Sequence, residues 1–145
     1  MTIANVLLVD DEVAFVETLM KRLERRDVEV AAAHSGAEAL EKLKGKDAAF
    51  EVVVLDVKMP GMDGLEALTE IKRLHPLLEV IMLTGHATVE SAIEGMKRGA
   101  FDYLMKPCDL DVLVKKVAEA AERRRAQEAR IMEARIREIT ERGRG

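Results

Sequence analysis

Short apolar runs alternate along the chain with longer stretches in which apolar residues recur every three or four positions. The runs Val6–Val9, Val28–Ala33, Val52–Leu55, Val80–Leu83 and Phe101–Met105 predict strands. Most are continuous rather than alternating, the pattern of parallel strands covered on both faces. The stretches Val13–Arg25, Ala37–Leu43, Leu65–Leu74 and Val89–Lys97 predict helices. In the first, Val13, Val16, Leu19, Met20 and Leu23 fall at helical spacing, and in the fourth Val89, Ile93 and Met96 do so. Ser35 and Thr88 stand at N-cap positions, and Glu38 follows Ser35 by three residues, as in a capping box. A last helix is expected to start near Asp109, a suitable cap, and to run well past the core.

Strict alternation of five strand-helix units predicts a doubly wound α/β sheet. Right-handed crossovers then put helices on both faces. Such sheets bind ligands at the carboxyl ends of their strands, near the point where strand order reverses. That rule directs attention to the residues that end each strand.

The first strand ends in Asp10-Asp11, the third in Asp56, the fourth in Thr84-Gly85 and the fifth in Lys106-Pro107. Four strand ends therefore deliver acids, a hydroxyl and an amine to one edge. Carboxylates held together repel one another, and a hard divalent cation removes the conflict. Mg²⁺ prefers oxygen and takes one or two carboxylates directly, so Asp11 and Asp56 are candidate ligands, with Asp10 acting through water. An aspartate is also a nucleophile toward phosphorus. Lys106 is placed to stabilise charge on a transferring group and Thr84 to donate to one of its oxygens. Asp56, on a central strand, is the candidate acceptor. Singly, each residue has a plainer role. Asp10 and Asp11 suit a helix cap, Asp56 a turn, Tyr103 a half-buried strand, and Pro107 a strand stop. Their coincidence at one edge favours a site.

Composition narrows the field. At 48% hydrophobic residues, a chain of 145 can bury one core. No stretch approaches the roughly 20 apolar residues of a membrane span, and no secretion signal opens the chain. The single cysteine, Cys108, cannot close an internal disulfide, which is compatible with a cytoplasmic location. Charge is uneven: residues 122–145 carry a local +3 and the rest −7. An acidic body with no Trp, one Tyr and three Phe offers little to nucleic acid.

The sequence resembles the receiver domain of bacterial response regulators over about Asn5 to Arg123. The resemblance rests on Val-Asp10-Asp11-Glu, on Leu-Asp56-Val-Lys-Met-Pro60-Gly61-Met-Asp63-Gly64, on Thr84-Gly85-His86 and on Gly99-Ala100-Phe-Asp-Tyr103-Leu-Met-Lys106-Pro107. It implies the flavodoxin-like strand order 2-1-3-4-5. It implies that Asp56 is phosphorylated, that Asp10, Asp11 and the Lys58 carbonyl complete the Mg²⁺ site with Asp56, and that Lys106 contacts the phosphoryl group. Thr84 and Tyr103 become the switch pair, Lys58 and His86 tune the lifetime of the phosphoryl group, and Lys106-Pro107 is cis. The implied donor is a histidine kinase or, slowly, a small acyl phosphate. The output is a changed helix 4–strand 5–helix 5 surface read by a downstream protein or effector domain. The chain is thus expected to be a signalling switch that catalyses its own phosphoryl transfer and slow dephosphorylation.

Two divisions are expected: a receiver over residues 1–123 and a helical extension or linker over 124–145. In the extension Ala129, Met132, Ile136 and Ile139 are spaced three, four, three, a short seam suited to a partner or a second copy. A homodimer is left open, as is a solvated, frayed helix. The rival readings fare worse. A haloacid-dehalogenase-type hydrolase needs an acid where Lys58 stands. A dinucleotide-binding fold needs a Gly-x-Gly-x-x-Gly after the first strand. A receiver-like binding module that takes no phosphate is the alternative kept, against the intact set of Asp10, Asp11, Asp56, Thr84 and Lys106.

Overall fold

The computed structural model describes residues 2–45 and 50–143. Ten elements alternate along the chain: β1 (Ala4–Val9), α1 (Val13–Glu24), β2 (Val28–Ala33), α2 (Gly36–Leu43), β3 (Val52–Leu55), α3 (Gly64–Leu74), β4 (Glu79–Thr84), α4 (Val89–Lys97), β5 (Asp102–Met105) and α5 (Leu110–Gly143). All four strand pairings are parallel, and the sheet order is β2-β1-β3-β4-β5. This is the fold class the sequence predicts, and each predicted element is present within a few residues.

Alternate strand residues serve two cores. Val6, Leu8, Val52, Val54, Ile81 and Leu83 face α1 and α5, where they meet Val16, Leu23, Leu113 and Val117. Leu7, Val9, Val53, Leu55, Val80 and Met82 face the other way, onto Ala39, Ala67, Leu68 and Ile71 of α2 and α3. Both faces of the central strands are dry, which is why their sequences read as unbroken apolar runs.

The helix starts are mostly as expected. The Ser35 hydroxyl accepts from the Glu38 amide at 3.1 Å, but the Glu38 carboxylate accepts from the His34 amide at 3.0 Å, one residue before the cap, so the reciprocal half of the expected box is displaced. Thr88 and Ser91 form a complete capping box at α4. Asp109 caps α5 through the Asp111 amide at 2.8 Å. At α1 the cap position is Glu12, with no side-chain bond.

One periodic stripe faces the opposite way from a core stripe. Val89, Ile93 and Met96 on α4 are 74%, 51% and 47% exposed, and the helix buries only Gly95. In α5 the expected run past the core is present, a single helix of 34 residues with no break at residue 123. Its last buried residues are Ala120 and Ala121. Two arginines then tie it to the N-terminal edge of the sheet. Arg125 makes a two-pronged pair with Glu51 at 2.5 and 2.8 Å and donates to the Ile3 carbonyl at 2.9 Å. Arg123 Nε lies 3.2 Å from Glu79 Oε2. Arg124 pairs with Glu128 one turn on, at 2.8 Å.

Candidate functional site

The ladder of the sheet continues one step past the ends of β1 and β3 and joins β5 to β4. The Asp10 amide donates to the Ala33 carbonyl, the Asp56 amide to that of Val9, and the Lys106 amide to that of Thr84, at 3.1, 3.0 and 2.9 Å. Val9 and Leu55 are register partners, so Asp10 and Asp56 leave the sheet side by side. The Lys106–Pro107 peptide is cis, as the resemblance implies.

These constraints concentrate charge. Asp10, Asp11 and Asp56 each bring a carboxylate oxygen within 4.8 Å of the others. Asp10 and Asp56 are 1% and 3% exposed, whereas Asp11 is open to solvent. Lys106 reaches over them, with Nζ 2.6 Å from Asp10 Oδ2 and 3.9 Å from Asp56 Oδ2. Asp10 Oδ1 accepts from the Glu12 amide at 3.0 Å, and Asp56 Oδ1 from the Val57 amide at 2.8 Å. Asp11 supplies no such bond to α1, so the helix-cap role fits it poorly.

Burial pushes the Asp56 carboxyl above the ordinary carboxylate range, and the neighbouring Asp10 charge adds to the effect. The Thr84 hydroxyl, Lys106 and the Val57 amide act against it. Proton and cation therefore compete for this group. A hard divalent cation suits a set of three acids faced by a single close lysine.

Thr84 is fully buried, and its hydroxyl accepts from the His86 amide at 3.0 Å. Tyr103 is half-buried on β5, and its hydroxyl lies 2.7 Å from Ser91 Oγ on α4. Lys58 and His86 are exposed and line the same open cleft as Asp11, Asp56 and Asp63. Pro107 is exposed and sits with Lys106 beside α1. Every predicted site residue thus lies at the one edge, Tyr103 one layer away toward α4.

The sequence reading gave Ser91, Gly64, Phe15 and Glu12 no role of their own, although Glu12 and Gly64 stand within the quoted motifs. Ser91 is signalled only by its three-residue spacing from Thr88. Gly64 has a steric cause: an added Cβ would fall 2.0 Å from the Asp56 carbonyl oxygen, and its amide already donates to Val57 O at 2.6 Å. Gly61 precedes it at φ +77°, where a side chain is strained. Together they fold the β3–α3 loop tightly behind Asp56.

The family model for the response regulator receiver domain matches residues 6–118. The transcriptional regulatory protein ZraR of Escherichia coli (strain K12) is 41% identical over 109 residues, which cover 75% of this chain and 24% of that protein. The DNA-binding transcriptional regulator NtrC of the same strain is 40% identical over 115 residues, covering 79% of this chain and 24% of that protein. The chain spans about a quarter of the length of these relatives. Among solved structures, a response regulator receiver domain protein from Clostridium thermocellum superposes with a TM-score of 0.81 at 36% identity, covering 86% of this chain and 98% of that one.

Proposed function

The chain belongs to the response regulator receiver domain family, and from that premise we propose that Asp56 takes a phosphoryl group from a histidine kinase phosphohistidine. The carrying observation is the convergence of three carboxylates within 4.8 Å, with Lys106 over them and Thr84 on the adjoining strand end. Asp10, Asp11, Asp56 and the Lys58 carbonyl would hold Mg²⁺, which when bound offsets the carboxylate charge and favours the charge pattern of phosphoryl transfer.

The chain's own groups do the rest. The Val57 amide orients the Asp56 carboxylate through Oδ1. Lys106 exchanges its bond to Asp10 for one to a phosphoryl oxygen. Thr84 turns its hydroxyl from the His86 amide toward the same group. Tyr103 then gives up its Ser91 partner and moves inward, and the α4–β5–α5 surface changes. The outward apolar stripe of Val89, Ile93 and Met96 lies on that surface, which supports its use as an output face. Lys58 and His86, at the rim of the cleft, govern the approach of water and so the rate at which the receiver dephosphorylates itself.

In this reading residues 1–123 are the receiver and 124–145 an extension. ZraR and NtrC are transcriptional regulators by name, which supports a downstream effector as the partner. The exposed Met132, Ile136 and Ile139 suit packing on that effector or on a second copy. The protein acts in the cytoplasm. No helix among the described residues is long and apolar enough to cross a membrane.

The experiment is intact-mass spectrometry after incubation with acetyl phosphate and Mg²⁺, with size exclusion on the same samples. One phosphoryl adduct is expected on the wild type, none with EDTA, and none on Asp56→Ala. A wild type inert to both acetyl phosphate and a phosphorylated cognate kinase would overturn the reading in favour of a phosphate-independent binding module.

A further inference from the structure

Lys106 has a neighbour that charge pairing does not explain. The Phe15 ring on α1 lies against its ammonium, with Nζ 4.0 Å from the ring centroid. That is well inside the range in which a ring face attracts a cation, and the attraction grows as water is removed. The Lys106 side chain is only 14% exposed.

The ammonium has three donors, and carboxylates lie on several sides of it. Asp10 takes one donor at 2.6 Å, while Glu12 and Asp56 stand off at 3.7 and 3.9 Å. Glu12 is a rival to the site, since its side chain is 64% exposed and it can draw the lysine outward. The ring contact differs in kind from all of these. It holds the cation without occupying an N–H donor. The apolar packing of Phe15 on the α1–α5 core accounts for a large apolar residue there. It does not account for a ring face turned to an ammonium.

We propose that Phe15 is a positioning residue: its ring holds the Lys106 ammonium over the carboxylates while the lysine changes its hydrogen-bond partner from Asp10 to a phosphoryl oxygen. The role rests on Asp56 being the phosphoacceptor. A site without the ring keeps all its charges but leaves the lysine freer to lean toward Glu12.

Two substitutions separate ring from bulk. Phe15→Leu keeps an apolar side chain and removes the π face; Phe15→Tyr keeps the face. The first readout needs neither metal nor phosphate. In Mg²⁺-free protein the Lys106 ε-methylene protons should be shifted upfield by the ring current in wild type and Phe15→Tyr, and not in Phe15→Leu. The second is the second-order rate constant for phosphorylation by acetyl phosphate at saturating Mg²⁺. It should fall about three- to fivefold in Phe15→Leu and return toward wild type in Phe15→Tyr. Thermal unfolding of each variant checks that the fold is kept. An unshifted Lys106 in the wild type overturns the proposal. So does a Phe15→Leu variant that phosphorylates at the wild-type rate, or a Phe15→Tyr variant as slow as Phe15→Leu. Should the acceptor assignment itself fail, all three proteins are inert while the ring-current shift persists, and the proposed role falls with it.

Discussion

Replacing Asp56 by asparagine should stabilise the protein when divalent cations are removed. The charges decide the sign. Asp10 and Asp56 bring oxygens within 4.8 Å of each other, and two charges at that distance repel by about 3.5 kcal/mol at an effective dielectric near 20. Lys106 at 3.9 Å from Asp56 attracts it by about 4 kcal/mol on the same basis. These two effects nearly cancel. Asp11 is exposed, and its repulsion adds about 1 kcal/mol in water-like surroundings. What remains is the cost of holding a carboxylate that is 3% exposed, and nothing offsets it fully. Asparagine sheds the charge and keeps an oxygen for the Val57 amide, which bonds Asp56 Oδ1 at 2.8 Å.

The expected gain is about 1–2 kcal/mol at pH 8 in EDTA, read as the urea midpoint, with a Tm about 3–6 °C higher. The direction of the Asp56 shift fixes the pH dependence. Its carboxyl is raised above the ordinary 3.8 by burial first and by Asp10 second, so the folded state binds that proton more tightly than the unfolded state does. The associated stability is fully present below the ordinary carboxylate value and is lost as pH rises through the higher folded value. The advantage of asparagine should therefore grow from acid to neutral pH and then level off. Mg²⁺ at a hundred times its dissociation constant stabilises the wild type by about 2.7 kcal/mol, and the variant by less, so the order narrows or inverts. A variant less stable than wild type in EDTA at pH 8, or a gap that ignores pH, would refute this account of the site.

Gly64→Ala places a methyl group 2.0 Å from the Asp56 carbonyl oxygen; it should cost about 2–3 kcal/mol in urea unfolding and slow phosphorylation by displacing the acceptor. Lys106→Ala leaves buried Asp10 without the cation now 2.6 Å away. It should lose about 3 kcal/mol in EDTA, recover part of that with Mg²⁺ by thermal shift, and phosphorylate slowly at any Mg²⁺ concentration. Arg125→Ala removes a pair whose partners are 50% and 14% exposed, so the body should lose only about 1 kcal/mol. Amide exchange over residues 126–143 should rise severalfold, while the rate with acetyl phosphate stays unchanged.

The architecture was legible because parallel strands dry on both faces write themselves as unbroken apolar runs, and each run here stops at a polar residue. Val52–Leu55 is bounded by Glu51 and Asp56, and that boundary put Asp56, the candidate acceptor, at the edge. Periodicity found the helix at α4 but not its exposure. It reports that apolar residues share a helical face but not what covers the face, and Val89, Ile93 and Met96 turn outward. It was also blind to pairs between distant segments. Arg125 meets Glu51 across 74 positions, and nothing in either neighbourhood marks one for the other. Phe15, inside the stretch that predicts the first helix, carried no signal of its own, because a ring's contact with a cation leaves no spacing signature.

Those distant pairs bear on how a signal leaves the site. β3 carries Asp56 after its last residue and Glu51 before its first; β4 ends in Thr84 and begins with Glu79. The acids at the starts of both strands are paired with Arg125 and Arg123 of α5. Asp56, Thr84 and the Arg123–Arg125 stretch of α5 are therefore fixed to opposite ends of the same two strands. Every residue of β3 and β4 is buried, and close-packed strands do not bend to carry a displacement. In the proposed function a change at Asp56 leaves these two strands undeformed. The proposed route runs instead through Thr84, Tyr103 and the loosely seated α4, which buries nothing but Gly95. On that route the root of the extension keeps its place on β3 and β4 through Arg125 and Arg123, while the α4 side of the proposed surface changes.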